Sequence, residues 1–155
     1  MKQSLDDDII QKRMRPGVVT LDGLLGVDQR NLRDILDADD AAVRRLGLTH
    51  AGIAARMREL RDAGARGLGD PVSVHGRFEV RVDSVRGKLA CPFPHPGLCR
   101  KELVEIRNVR RGEQVTFTEL NMHLIEAHGF YEGVGSPFRQ DPARLARVLE
   151  IVPVG

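Results

Sequence analysis

Helical spacing of apolar residues dominates the first 66 positions of the chain. The residues that share helix faces are Leu32, Ile35 and Leu36, then Val43 and Leu46, then Ile53, Met57 and Leu60. Ser4 and Thr49 stand where N-caps are expected, and Gly47 and Gly64 are typical of helix ends. The pattern predicts a helix over residues 1–14 and three more over residues 28–64, with a break and a new cap at residues 37–40.

After residue 71 the hydrophobic period changes from helical to two. The alternating apolar residues are Val72, Val74, Phe78, Val80 and Val82. They predict one long strand, or two strands bent at Gly76. Residues 85–88 are interpreted as a turn and residues 89–93 as a returning strand. Residues 103–109 and 114–117 predict a further strand pair that turns at residues 110–112.

Two more helices are predicted after these strands. Thr118 is a suitable cap and Gly129 a suitable end for a helix that carries two histidines, and Asp141 with Pro142 begins the last helix. The predicted fold class is α+β: an N-terminal helical part, a small antiparallel sheet, the histidine helix and a C-terminal helix. Two domains over residues 1–66 and 71–155 are predicted, and one compact domain is the alternative.

Cysteine and histidine side chains concentrate in residues 91–128. Cys91, Cys99, His123 and His128 follow one another with the spacing C-x(7)-C-x(23)-H-x(4)-H. Two thiolates and two imidazoles are a usual ligand set for tetrahedral zinc. His95, inside the cysteine loop, is an alternative ligand. Since positions five apart differ by ~140° on an ideal helix, the last turn before Gly129 is expected to tighten or unwind.

This order of residues resembles the metal site of Cys-Cys-His-His zinc fingers. The resemblance covers residues 91–128 and implies a structural zinc in a ββα-like part of the fold. The spacing is atypical, with seven residues between the cysteines and twenty-three before the first histidine. The resemblance therefore concerns the metal site and does not imply a helix that reads a DNA groove.

A second, weaker resemblance concerns residues 40–64, which are similar to the helix-turn-helix of bacterial DNA-binding regulators. Leu46, Gly47, Thr49, Ile53 and Met57 follow that pattern. The resemblance implies DNA as a partner. The candidate nucleic-acid-binding residues are Arg56, Arg58, Arg107, Arg110 and Arg111. Ala51 and Gly52, at the positions that would face a groove, offer few groups that read bases.

Composition and charge narrow the class of protein only slightly. The chain has 155 residues, 41% of them apolar, a net charge of +2 and no apolar run long enough for a membrane span. The N-terminus is acidic where a signal peptide would be basic, so a cytoplasmic location is expected. Thiols stay reduced there, which favours metal ligation by the two cysteines over a disulfide.

Three functions are compatible with these residues. Four protein ligands would close the site and favour a non-catalytic binding or regulatory module, with DNA or another protein as its partner. A metal-dependent hydrolase requires an open ligand position and a general base, for which Glu119, Glu126 or Glu132 would serve. A protein–protein adaptor with a rigid zinc half is the third interpretation. The sequence identifies no small-molecule substrate.

Overall fold

The computed structural model describes residues 3–94 and 97–153. The described chain contains five helices and one four-stranded antiparallel sheet, and it confirms the α+β class. The elements are α1 (Leu5–Arg13), α2 (Leu32–Arg45), α3 (His50–Ala65), β1 (Val72–Val74), β2 (Phe78–Ala90), β3 (Leu98–Asn108), β4 (Glu113–Thr118), α4 (Glu119–His128) and α5 (Pro142–Val148). Among these described helices, none has the length and apolar character needed to cross a membrane.

Polar side chains begin the helices where the sequence predicts. The Ser4 hydroxyl accepts from the Asp7 amide at α1, and the Thr49 hydroxyl accepts from the Gly52 amide at α3. Asp141 caps α5 in the same way through the amide of Arg144. Each cap satisfies a backbone donor that has no partner within its own helix.

The predicted break at residues 37–40 is wrong, because α2 runs unbroken from Leu32 to Arg45. Asp39 is buried and accepts two hydrogen bonds from the Arg139 guanidinium, at 2.6 and 2.8 Å. Asp40 faces Arg44 at 3.0 Å and His50 at 2.9 Å. These partners stabilise Asp39 and Asp40 inside the helix, and of the partners only Arg44 belongs to α2.

Helix α3 packs closely on β2 through a glycine. The predicted end at Gly64 is one residue early, since α3 extends to Ala65. Gly64 is buried, and an ideal Cβ there would lie 2.2 Å from Val80 Cγ1. A side chain at this position would therefore push the helix away from the sheet.

The four strands form a meander in the order β1-β2-β3-β4. β1 and β2 pair as a hairpin around His75 and Gly76, which confirms two strands bent at Gly76. The predicted turn at residues 85–88 and the returning strand at 89–93 are wrong. β2 continues to Ala90, and its register against β3 shifts between Ser84 and Lys88. Gly87 thus lies within an irregular stretch of one strand instead of a hairpin turn.

Two hydrophobic clusters stabilise the fold. The first combines α3, the sheet and α5, and its largest buried side chains include Met57, Phe78, Ile106 and Phe117. The second combines the N-terminal segment, α2 and α4 with the end of β2. Residues before position 66 therefore share cores with the sheet and α4, while the division into two domains stays a prediction. The candidate site lies at the second cluster, to which Cys91 belongs.

Candidate metal centre

Three of the predicted metal ligands converge in the structure. One donor atom each from Cys91, His123 and His128 lies within 4.8 Å of the other two. The Cys91 sulfur is 3.4 Å from His128 Nε2. The two imidazole rings meet edge to face, with centroids 5.4 Å apart and an interplanar angle of 82°. This arrangement places one soft sulfur and two ring nitrogens around a common point.

Local sequence explains why α4 holds both histidines in place. Thr118 and Asn121 form a capping box that fixes the first turn, and Gly129 ends the helix in the left-handed region at φ 61°. The helix remains α-helical through His128, so the expected tightening or unwinding of its last turn does not occur. The two rings nevertheless meet, with centroids 5.4 Å apart, at the ends of side chains on an undistorted helix.

Two neighbouring residues, Phe93 and Arg13, hold the site in position, and the sequence did not indicate either of them. Phe93 stacks on the His128 ring with centroids 4.0 Å apart and an interplanar angle of 10°. The Arg13 guanidinium donates to the Cys91 carbonyl oxygen at 3.2 Å, which ties α1 to the cysteine loop. The pair Arg13 and Cys91 is 78 positions apart in the chain, so no local pattern could have indicated it.

Burial controls the protonation of both thiols. Burial raises the pKa of Cys91, which the backbone of Phe93 and the charge of Arg13 lower in part. Burial also raises the pKa of Cys99, and the charges of Glu119 and Cys91 add to the increase. Without a metal both side chains therefore favour the thiol form. A bound cation would have to displace a proton from each sulfur that it uses, as is general for thiolate ligands.

Cys99 lies near the converging donors but not within the group that they form. It pairs with Leu89 across β2 and β3, and its side chain packs against the cluster that contains Cys91. The 4.8 Å group contains Cys91, His123 and His128 and not Cys99. The complete set of four ligands stays a prediction. The alternative ligand His95 lies outside the described residues.

The three candidate carboxylates occupy different environments. Glu119 accepts from the Arg100 amide at 2.8 Å, and Glu126 is exposed and faces Arg58 at 3.5 Å. Glu132 is buried, and burial raises its pKa to about 7. Its two carboxylate oxygens accept from Ser136 Oγ at 2.5 Å and from Asn121 Nδ2 at 2.6 Å. Since Asn121 belongs to the first turn of α4, Glu132 anchors the helix that carries the histidines.

A groove of about 320 Å³ lies beside His128. The residues that line it are Arg33, Leu36, Asp37, Asp40, His50, Glu126, Ala127, His128 and Gly129. His50 is held there by Asp40 at 2.9 Å and by the hydroxyl of buried Tyr131 at 2.8 Å. Burial raises the pKa of Tyr131, so that hydroxyl stays protonated. The groove gives the histidine helix one solvent-accessible flank.

The predicted nucleic-acid residues have contrasting surroundings. Arg56 donates to the Leu149 carbonyl oxygen at 2.9 Å and lies over the Phe78 ring, so this cation is used within the fold. The exposed positions of α3 are Ala51, Ala55, Glu59 and Asp62. Arg107, Arg110 and Arg111 are exposed at the end of β3 and the following turn. No contact with nucleic acid tests these residues, and their role stays a prediction.

Comparisons with known proteins identify no relative. No family model, no curated protein and no solved structure matches the chain. The zinc-finger and helix-turn-helix resemblances thus have no support beyond the residues themselves. The site must be interpreted from its chemistry, which is that of a centre able to hold a transition-metal cation through sulfur and nitrogen.

Proposed function

We propose that this protein is a non-catalytic binding or regulatory module with a structural zinc ion held by Cys91, His123 and His128. The convergence of these three donor atoms within 4.8 Å carries the proposal. Cys99 would supply the fourth ligand, because its side chain packs on the same hydrophobic cluster as Cys91. A cytoplasmic location, which the sequence predicts, would keep both thiols available.

The choice of zinc follows from the donors. One or two thiolates with two imidazoles suit zinc, whereas magnesium and calcium prefer oxygen ligands. Zinc has no redox chemistry of its own, and a closed tetrahedral set leaves no position for water. In this protein such an ion would fasten Cys91, directly after β2, to the two histidines of α4.

The direct test is the metal content of the purified protein and of ligand variants. We expect about one zinc per chain. Cys91→Ala or His123→Ala should lower zinc affinity by more than the ~10–100-fold that the loss of an outer-sphere partner typically costs. His75→Ala, which removes an exposed histidine outside the site, is the matched control and should retain zinc. Protein without zinc, or equal losses in the control, would refute the proposal.

The number of sulfur ligands is a separate question with its own measurement. X-ray absorption at the zinc edge counts sulfur and nitrogen neighbours directly. Two sulfurs would support the closed set, and Cys99→Ala should then replace one of them by oxygen from water. One sulfur in the unmodified protein would contradict the role of Cys99 while leaving the three-donor site intact.

A metal-dependent hydrolase is the second candidate, and the groove beside His128 is the observation that favours it. With three protein ligands, a fourth position would admit water, and Glu126 would be the base at the groove. The zinc-loaded protein should then hydrolyse ester, amide or phosphodiester model substrates, with loss of rate in Glu126→Gln. Absence of turnover together with two sulfur ligands would exclude this candidate.

A further inference from the structure

We infer that the distal half of the β2–β3 hairpin is a binding surface for nucleic acid. This surface, the basic ribbon, consists of residues 84–90 of β2 and 98–101 of β3. It contains Arg86, Lys88, Arg100 and Lys101 and no acidic residue. All four side chains are exposed, and none forms an ion pair with any residue that the structure describes.

Just over half of the arginines outside the ribbon are neutralised within the fold. Ten of these 18 arginines pair with carboxylates within 4.0 Å, whereas others, Arg107, Arg110 and Arg111 among them, are exposed and form no ion pair with any residue that the structure describes. Glu102, the first acidic residue after the ribbon on β3, is bound by Arg61. One carboxylate outside the ribbon, that of Glu119, accepts from the Arg100 amide at 2.8 Å. The four exposed cations still give the ribbon a local positive charge that the nearly neutral net charge of +2 conceals.

The strand register concentrates this charge instead of dispersing it. Lys88 stands directly opposite Arg100 in the pairing of β2 with β3. Like charges in directly opposed positions destabilise a strand pair. The opposed pair therefore carries a cost within the fold, and an external anion is the physical reason that we assign to it.

The irregular register between Ser84 and Lys88 shapes the surface further. Three residues of β2, at positions 85–87, face Lys101 of β3 between two regular pairs. The Lys101 side chain runs along Gly87, whose ideal Cβ would lie 3.3 Å from Lys101 Cδ. Such a bulge increases strand twist and redirects side chains. Val85 and Leu98 add exposed apolar surface at 64% and 62% exposure.

A two-stranded ribbon of this kind suits a nucleic-acid duplex. The major groove of B-DNA admits a two-stranded β-ribbon, and phosphate contacts by lysine and arginine dominate affinity. The ribbon carries four cations and few polar groups that could hydrogen-bond to base edges. This composition favours binding without sequence preference. The charge and shape of the ribbon therefore indicate nucleic acid as the class of partner. This inference deepens the proposed binding role and rests on that proposal.

The ribbon also adjoins the proposed zinc site. Cys91 follows Ala90 directly, and Cys99 lies between Leu98 and Arg100 within the ribbon. A metal ion on these cysteines and on α4 would hold the ribbon in one orientation. This surface is distinct from the predicted Arg107, Arg110 and Arg111. Arg107 lies about 20 Å further along β3 than Lys101, at a rise of ~3.3 Å per residue, and the other two lie in the following turn.

The test is a titration of a mixed-sequence 24-base-pair duplex at several salt concentrations. For four phosphate contacts the logarithm of affinity should fall with the logarithm of salt at a slope of about −3.6. Lys88→Gln with Arg100→Gln should reduce that slope by about 2, because each neutralised phosphate contributes ~0.9. The pair also removes the opposed like charges, so the fold should not weaken.

Arg15→Gln with Arg66→Gln is the matched control, since it removes the same charge from two exposed positions outside the ribbon. We expect its slope to equal that of the unmodified protein. No binding at low salt, or equal losses in both double variants, would overturn the inference. Binding of the ribbon to vesicles with 30% phosphatidylserine, without binding to the duplex, would overturn it in favour of a membrane surface.

Zinc content measured on the same samples separates this inference from the proposed function. The ribbon variants should keep their zinc, because they change no ligand. If the unmodified protein holds no zinc yet binds the duplex through the ribbon, the metal proposal fails and the surface stands. If zinc is present and the duplex is not bound, the surface fails and the metal proposal stands.

Discussion

The histidine helix α4 and the helix α3 packed against it use their polar side chains in opposite ways. On α4, His123 and His128 face the Cys91 thiol and create a group of donors suited to a cation. On α3, Arg56 and Arg61 are bound to the Leu149 carbonyl oxygen and to buried Glu102. Polar side chains thus form a candidate metal site on α4, whereas on α3 they form hydrogen bonds and ion pairs within the fold.

These two helices show how a candidate metal site differs from a structural ion pair. Arg61 and Glu102 have opposite charges and neutralise each other, so their ion pair requires no further partner. Three metal-binding donors in one place are not complementary in that sense, because two imidazoles and a thiol gain most from a shared cation. Residue types alone do not separate these cases, since the arginines of α3 also predict a nucleic-acid partner from the sequence.

Metal removal should have the largest effect in this comparison. At free zinc a thousand times the dissociation constant, ligation would stabilise the fold by about 4 kcal/mol. Chelation should loosen residues ~88–135 and the parts of α1 and α2 that share the second hydrophobic cluster with them, while α3 in the first cluster remains protected. The reason is that local opening is limited to regions that lose their contacts. Hydrogen exchange with and without chelator measures this. Uniform loosening of the whole chain, or no change in any part, would contradict it.

The second largest effect should come from Arg61. Arg61→Ala would leave the Glu102 carboxylate, which is 3% exposed, without its cation. We expect the free energy of unfolding to fall by about 3 kcal/mol. Arg58→Ala is the matched control on the same helix, because its pair with Glu126 is exposed and should contribute less than ~1 kcal/mol. Similar losses in denaturant titrations of both variants would show that the buried pair has no special role.

Glu132 tests whether α4 is anchored independently of the metal. Its pKa is raised to about 7 from 4.5 by burial, so the folded state retains a proton that the unfolded state releases. The free energy of unfolding should therefore decrease as pH rises from about 4.5 to about 7. The decrease is on the order of 3 kcal/mol at most.

Glu132→Gln is the variant that isolates this group, because glutamine keeps the shape without the titration. The difference in unfolding free energy between the two proteins should change over that pH interval and be constant above it. Metal-free samples keep zinc ligation out of the measurement. A difference that is independent of pH would mean that folding does not change the pKa of Glu132.

The smallest effect concerns the contact between α3 and the sheet. Gly64→Ala would force a Cβ against Val80 and should destabilise the fold by ~1–3 kcal/mol. Gly52→Ala, in the first turn of the same helix, meets only the Thr49 hydroxyl at 3.0 Å and is the control. Thermal unfolding of both variants compares them. A stabilised Gly64→Ala protein would show that the contact between α3 and β2 leaves room for a methyl group, which would contradict close packing.

Much of the secondary structure could be predicted because its causes are local. Ser4, Thr49, Thr118 and Asp141 begin helices through bonds that span three residues. The predictions failed where distant partners decided the outcome. The acidic run in α2 looked like a break, yet Arg139, 100 positions away, accommodates Asp39 inside the helix. Gly87 looked like a turn, yet pairing with β3 retained it within a strand.

The sequence by itself determined the α+β class, the helix with two histidines and the identity of the metal-binding residue types. Only the tertiary structure decided that Cys91 and His128, 37 positions apart, meet at 3.4 Å while Cys99 lies outside the group. The physical reason is that hydrogen bonds and caps act over a few residues, whereas the position of a donor atom depends on how whole elements pack. Strand register and the second hydrophobic cluster set that packing, and neither is encoded in any single stretch of the chain.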